Sequence, residues 1–453
     1  MKIKIALAAG VTVAMVIGLA ACGGSKSEES SAGKVYYLNS KPEVVDQFKK
    51  LTEAFTKDTG IKVDVITATM ADYETTLTSE LAKNNAPTTW TMGPSDLAKY
   101  KKYLKPLQNT AGYKNLSDAG KASAVQDSDN VYAIPYVQEW YGIIYNKKLI
   151  KEYCAKDYAV IKSAQDINSW NVLKAVSENM MDHKDDLGIK GVFTTPSVEN
   201  SDYYRFTAHM IRPAEFFEYK DNDTTFMPKI TWKYLDKYKN LFDLQMKYSP
   251  GDAKRDATSM SYEDVTAQFS LGDVPFYPNG VWAYSQIKGN DVADGDLGML
   301  PYYMGIPGEG DYGPGVIMDN QWVVNKKSSP ADQKATLKFI NWVQTNRAAK
   351  RIVSKEMGFA MPATTYGDDA QPDNPLVNQA LEYQKKGKKY IRSFELPSLA
   401  WQKDFGGALL EYAQGTNDWE NVRKVITDEW ESTWQANEKA SPGSLPAQKK
   451  FSE

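Results

Sequence analysis

Cysteine is almost absent from this chain, with only Cys22 and Cys154 among 453 residues. Secreted domains that rely on disulfides use cysteine in pairs. These two stand in unlike contexts, so no bridge is expected and Cys154 reads as a lone buried thiol. Histidine is equally scarce, and His183 and His209 are too few for a convincing metal site. Neither sign of charge dominates: 54 Lys and Arg face 57 Asp and Glu, a formal net charge of −3. That balance argues against a nucleic-acid partner. Beyond the N-terminus no apolar run is long enough to span a bilayer. Catalytic motifs are missing as well: there is no Walker A, no G-x-S-x-G and no H-E-x-x-H. Gly308 to Gly313 matches the dinucleotide pattern G-x-G-x-x-G in letters alone. Pro307 precedes it and Pro314 follows it, and no helix opens there. Asp291–Asp296 is acidic and carries glycine, yet it fails the spacing of a calcium loop. No cofactor and no metal are therefore expected.

What is present begins at the N-terminus. Met1-Lys2-Ile3-Lys4 is a short positive segment, and residues 5–21 run without a charge. The run closes with Leu19-Ala20-Ala21-Cys22-Gly23, which resembles the bacterial lipobox, in which the cysteine receives lipid and becomes the first residue of the mature chain. Residues 1–21 are thus read as an export leader and Cys22 as a lipidation site that tethers the protein to the outer face of the cell membrane. Residues 22–34 are small and polar, the composition of a flexible tether.

After the tether the pattern alternates. Val35–Leu38 is rich in strand formers. Ser40-Lys41-Pro42-Glu43 carries helix-start signals, Val44 to Phe55 repeats at helical spacing, and Gly60 stops it. Ile61, Val63 and Val65 alternate as a strand, a helix is predicted over about 72–83, and Thr88–Met92 forms a third strand. The order β-α-β-α-β implies a parallel sheet. Ligands of such sheets bind at the carboxyl ends of the strands, here the loops 39–41, 69–73 and 92–96. Further on, Val274–Tyr277 reads as a strand and 278–283 as a turn opening a helix. Asn320–Asn325 reads as a strand, Pro330–Thr345 as an amphipathic helix, and the tail from about Leu399 as helical.

Four segments, in order, resemble the extracellular solute-binding proteins of carbohydrate ABC transporters, the group that includes the maltodextrin binders. They are Tyr37-Leu38-Asn39 leading to Phe48, Phe55 and Gly60; Tyr132-Ala133-Ile134-Pro135 with Gly142-Ile143-Ile144-Tyr145-Asn146; Phe269, Gly272, Val274 and Phe276 with Asn279-Gly280-Val281-Trp282; and Trp322-Val323-Val324-Asn325 with Phe339 to Val343. The resemblance implies an α/β fold of the type II periplasmic-binding-protein kind: two α/β lobes joined by crossing strands, with the ligand in the cleft between them. It places the crossings near Glu139, near 301–315 and near Met361-Pro362. The lobes would then be 35–138 with 305–360, and 139–304 with 361–453. It also implies a monomer, a permease partner and no catalysis.

A sugar presents hydroxyls on its edge and C–H groups on its faces, so its binder needs flat aromatic platforms and short polar groups. Trp282 matches the family's platform position, and Glu139 matches its acidic position on the crossing strand. Trp140 and Tyr141 alternate faces, so only one of them can face the cleft. Asn39, Lys41, Met92, Gly93 and Asp96 stand at strand ends. Tyr73, Tyr203, Asn320 and Trp401 complete the candidates. Met92-Gly93-Pro94 departs from relatives that carry an aromatic in that loop. An oligosaccharide is the expected cargo. Two rivals stay open: a cationic amine held by aromatic stacking, and an anchored glycoside hydrolase, which needs two carboxylates across a cleft. A cluster of cleft carboxylates would favour the cation, whereas mixed Asn, Gln, Asp and Arg would favour the sugar.

Overall fold

The computed structural model describes residues 33–127, 129–198 and 202–451. The leader, Cys22 and the tether through Ala32 lie outside the described residues. The last two tether positions are docked on the body: Lys34 N donates to Asp332 Oδ1 at 2.8 Å. A Cβ on Gly33 would fall 2.3 Å from the Ala331 carbonyl oxygen, and its φ is +67°. The flexible reading therefore stops short of residues 33 and 34.

Strands β1 (Val35–Asn39), β2 (Val63–Thr67) and β3 (Thr89–Met92) build the first sheet. Both β2 and β3 run parallel to β1, as the alternating pattern predicts. Their connections are the helices Val45–Thr59 and Met70–Leu81, the first ended by Gly60 in the left-handed region at φ 72°. Two later pieces, β4 (Ile134–Pro135) and β9 (Gln321–Trp322), join antiparallel to give the order β2-β1-β3-β9-β4. Beneath them Trp322 stacks on Tyr136 with ring centroids 4.4 Å apart, and Tyr37, Phe48 and Phe339 pack into the same core.

The second sheet is centred on β5 (Glu139–Asn146). It pairs antiparallel with β6 (Phe276–Gly280), β7 (Leu297–Leu300) and β8 (Tyr312–Ile317), and β10 (Lys389–Arg392) lies parallel to β8. Strand β6 continues through Pro278 and Gly280, where the sequence predicts a turn. It lies at the end of the order β10-β8-β5-β6, and an edge strand tolerates a residue that lacks an N–H. The remaining core is helical, with Trp232, Trp401 and Trp430 at its centre.

The chain enters the second sheet at Glu139, where the resemblance implies a crossing. It returns later than 301–315, because β8 is still paired with β5 and the passage to β9 occupies Met318–Asn320. The third passage is also later than Met361-Pro362. Met361, Ala363 and Tyr366 still pack in the first core, whereas Leu376 and Val377 belong to a core under the second sheet.

Candidate ligand-binding cleft

At the carboxyl end of β1 the Asn39 amide folds the chain back on itself. Its Nδ2 donates to the Lys41 carbonyl at 2.9 Å, and its Oδ1 accepts from Lys41 N at 3.2 Å. This turn aims Lys41 inward. Its Nζ lies 2.9 Å from Glu139 Oε1 and 3.2 Å from Glu43 Oε1. Burial alone would lower the Lys41 pKa, but the two carboxylates reverse this and hold it charged. The other Glu139 oxygen accepts from Asn320 Nδ2 at 3.4 Å, and Asn320 Oδ1 accepts from the Ser40 hydroxyl at 3.1 Å. At the end of β3, Gly93 N donates to Asp96 Oδ2 at 3.1 Å. Burial pushes the Asp96 carboxyl up to about 6, and the charges of Glu74 and Asp319 add to the push.

The second sheet supplies the opposing groups. Trp282 sits on a tight turn, Val281–Ala283, directly after β6. Its ring folds back over Gly280, where a Cβ would fall 2.1 Å from ring carbon Cζ3, so any larger residue there would displace the ring. A π-helical turn, Arg205–Met210, is fixed by the buried Arg205–Asp202 ion pair and by Arg205 Nη1 donating to the Pro278 carbonyl at 2.7 Å. That turn brings the His209 ring to 4.7 Å from Trp282 and 5.1 Å from Tyr141. Burial, with the charges of Arg212, Lys41 and Arg205, holds His209 well below its ordinary pKa, so it is neutral. Arg212 Nη1 lies 3.1 Å from Glu215 Oε2, and its Nη2 lies 3.6 Å from Asp319 Oδ2. Burial, then Asp319, pushes Glu395 up to about 7.

The two walls face each other. Glu43 and Val44, on the first sheet's side, line one crevice with Trp282, Tyr284 and Ser285 on the other side. This narrow crevice lies at the seam and is lined also by Gln138, Glu139 and Phe359. Aromatic faces and charged edges in one cleft can bind a ligand that is flat and polar at its rim.

The predicted residues divide sharply. Lys41, Glu139, Asn320 and Trp282 converge at the cleft, and the Gly93–Asp96 loop passes close to Asp319, whose carbonyl oxygen lies 3.7 Å from where a Cβ on Gly93 would sit. Asn39 is fully buried and works by shaping the turn. The Tyr73 hydroxyl donates to the Thr91 carbonyl at 2.7 Å and braces β1 to β3. Met92 is a core residue. Trp140 is 2% exposed and packs into the core beneath the second sheet, while Tyr141 takes the face toward His209. Trp401 is 1% exposed, and its Nε1 donates to the Ile426 carbonyl. Both tryptophans are corrected to core residues. Tyr203 is half-buried and packs on Gly406, with its Cβ 3.2 Å from where a Cβ there would sit. Tyr204, His209, Arg212, Asp319 and Glu395 were not singled out from sequence. Only Asp319, next to the candidate Asn320, had a signal that could have found it.

The family of bacterial extracellular solute-binding proteins matches residues 50–379. The chain is 22% identical over 372 residues to the multiple sugar-binding protein of Streptococcus mutans, covering 80% of this chain and 83% of that one. Its fold is similar to the GacH receptor of Streptomyces glaucescens, solved unliganded and with acarbose, with a TM-score of 0.68 and 16% identity over 89% of this chain and 99% of that one. It is also similar to a chitin oligosaccharide binding protein, with a TM-score of 0.69 and 15% identity over 89% of this chain and 100% of the other.

Proposed function

This chain belongs to the bacterial extracellular solute-binding protein family, and we propose that within it the protein captures an oligosaccharide between its two lobes and delivers it to the permease of an ABC transporter. The observation that carries this reading is the pairing of Trp282 and Tyr204 with Lys41, Glu139, Asn320 and Arg212 across one cleft. Rings supply faces for the sugar's C–H groups, and the polar rim pairs its hydroxyls. The names of the relatives agree: one is a multiple sugar-binding protein and another binds chitin oligosaccharide. Ligand touching both walls favours the closed arrangement by its differential affinity, and closure presents the loaded body to the permease.

In this reading the lobes are 35–138 with 318–366, and 139–317 with 367–451. Cys22 carries the lipid that holds the protein to the outer face of the membrane, the body acts as a monomer, and it releases its cargo unaltered. The test is a thermal-shift screen of the body from about Ser30 against mono- and oligosaccharides, with the sugars analysed afterwards. A ligand that binds only the folded state raises the melting temperature. A shift with an oligosaccharide recovered intact supports the proposal. Cleaved sugar would move the protein to the hydrolases, and silence from every sugar would overturn the cargo.

A further inference from the structure

At the end of the first sheet opposite the cleft, the chain gathers lysines from separate stretches. Asn325 N donates to the Thr88 carbonyl at 2.9 Å, beside the start of β3, and Lys326 N donates to the Tyr103 carbonyl at 2.8 Å. The short helical turns Leu97–Tyr100 and Lys101–Tyr103 run alongside, and the helix Trp419–Ala440 ends there. Between them lies an open groove of about 510 Å³, lined by Lys99, Lys101, Lys102 and Lys326 with Tyr132 and Ser441. Two of these charges are met locally: Lys99 pairs with Glu74, and Lys101 Nζ lies 3.1 Å from Asp127 Oδ2. Lys102, Lys326 and the adjoining Lys327 are exposed and pair with no carboxylate among the described residues. Lys102 and Lys327 hold their ammonium groups over the Tyr103 ring, 5.3 and 4.2 Å from its centroid. Like charges gathered in this way repel, and an anionic partner would relieve the repulsion.

A second observation says what meets this groove: the chain departs toward Cys22 right beside it. The loop that carries Lys326 and Lys327 is pinned to the helix Pro330–Thr345 by Gln333, whose Nε2 donates to the Lys326 and Ser328 carbonyls at 3.1 and 2.8 Å. In the same helical turn Asp332 Oδ1 accepts from Lys34 N at 2.8 Å, and Gly33 lies against the Ala331 carbonyl. Groove and departure point are therefore neighbours on one end of the protein. Eleven residues, 22–32, separate Cys22 inclusive from that point, a reach of at most about 40 Å.

A layer of phosphate headgroups, kept within that reach by the lipid on Cys22, supplies the missing anions. The whole chain has a net charge of −3, so no general attraction to an anionic surface is expected and the contact must be local. We propose that this lysine groove docks on the anionic phospholipid headgroups of the membrane that anchors the protein, with the cleft, at the other end of β3, held off the lipid. The docking goes beyond sugar capture and rests on the lipid-anchor reading of Cys22.

The test is flotation with vesicles of phosphatidylglycerol and phosphatidylcholine in equal parts, beside vesicles of phosphatidylcholine alone. The protein is the exported chain from residue 22 carrying Cys22→Ser, so that no lipid of its own contributes. At least fivefold more protein is expected to float with the anionic vesicles at low salt, and the excess should vanish at high salt. Lys102→Glu with Lys326→Glu should abolish the excess. Lys174→Glu with Lys190→Glu, the same change of charge at exposed sites on the second lobe, should keep it, and thermal melts check that both variants are folded. Absence of flotation, equal flotation with neutral vesicles, or equal loss in the two variants would overturn the inference. The mass of the unsubstituted full chain recovered from membranes reads the lipid on Cys22 separately. An unmodified Cys22 would overturn the anchor and the inference with it, whereas a lipidated chain whose groove ignores anionic vesicles would overturn the inference alone.

Discussion

Lys41 Nζ lies 2.9 Å from Glu139 Oε1, which ties the first turn after β1 to the strand that opens the second sheet. Both side chains are almost wholly buried. Removing one member of such a pair strands the other charge. Lys41→Met is therefore expected to destabilise the protein by about 3–5 kcal/mol, and adding Glu139→Gln should recover much of the loss. Urea unfolding of the two variants checks this. A double variant no better than the single would show that the pair does not act as a unit.

Trp282 should matter to ligand more than to fold. It is half-exposed on a turn, and removing the ring takes away a platform. Trp282→Ala is expected to weaken oligosaccharide binding at least tenfold, about 1.4 kcal/mol, while the free protein still unfolds cooperatively. Calorimetric titration beside a thermal melt separates the two effects.

Trp401 should behave the opposite way. It stacks on Trp232 with centroids 5.9 Å apart and meets Trp430 edge-on. Trp401→Ala opens a large hole in a dense core and should cost about 3–5 kcal/mol of stability. At a temperature where the variant remains folded, its affinity for ligand should be unchanged.

The cleft carboxylates make the empty protein sensitive to pH. Burial raises Asp96 to about 6 and Glu395 to about 7 in the folded state, above their unfolded values. The folded state then holds more protons than the unfolded chain between about pH 4 and 7, so stability contributed by these groups falls as pH rises through that window. The melting temperature of the ligand-free protein is expected to drop from pH 5 to pH 8. Glu395→Gln should flatten the slope, and an unchanged slope would show that Glu395 titrates normally.

A glycine on the crossing strand tests how closely the second sheet is packed. A Cβ at Gly142 would lie 2.1 Å from the Leu300 carbonyl oxygen, which is backbone in the paired strand β7. Gly142→Ala should therefore destabilise by at least about 1–3 kcal/mol, the range for overpacking, as read from the denaturant midpoint.

Much of the fold is legible in the residues themselves. Alternation in Val35–Asn39 and Val63–Thr67, helical spacing from Val45 to Thr59, and Gly60 as the stop are local signals, and each element forms where its own residues ask for it. The Asn279-Gly280-Val281-Trp282 segment was legible only through its resemblance to the family; that the ring folds back over Gly280 is visible only in the structure. Pro278 misled, since whether proline ends a strand depends on whether that strand lies at an edge, which is a property of the sheet.

Periodicity tells which residues turn inward, but not whether inward means core or cleft. Trp140 and Trp401 look like platforms in sequence, yet they fill cores because neighbouring strands and helices cover them. Asp96, Asp319 and Glu395 are ordinary surface letters when read one by one. The charge of Asp319 acts on Asp96 and Glu395 only because folding brings distant stretches of chain near one another. The chain's own residues determined its elements, the parallel opening sheet and the kind of chemistry it could offer, whereas the lobed plan was legible only through the family resemblance. Tertiary structure alone decided which charges face each other, since Coulombic coupling depends on distance in space and not on separation along the chain.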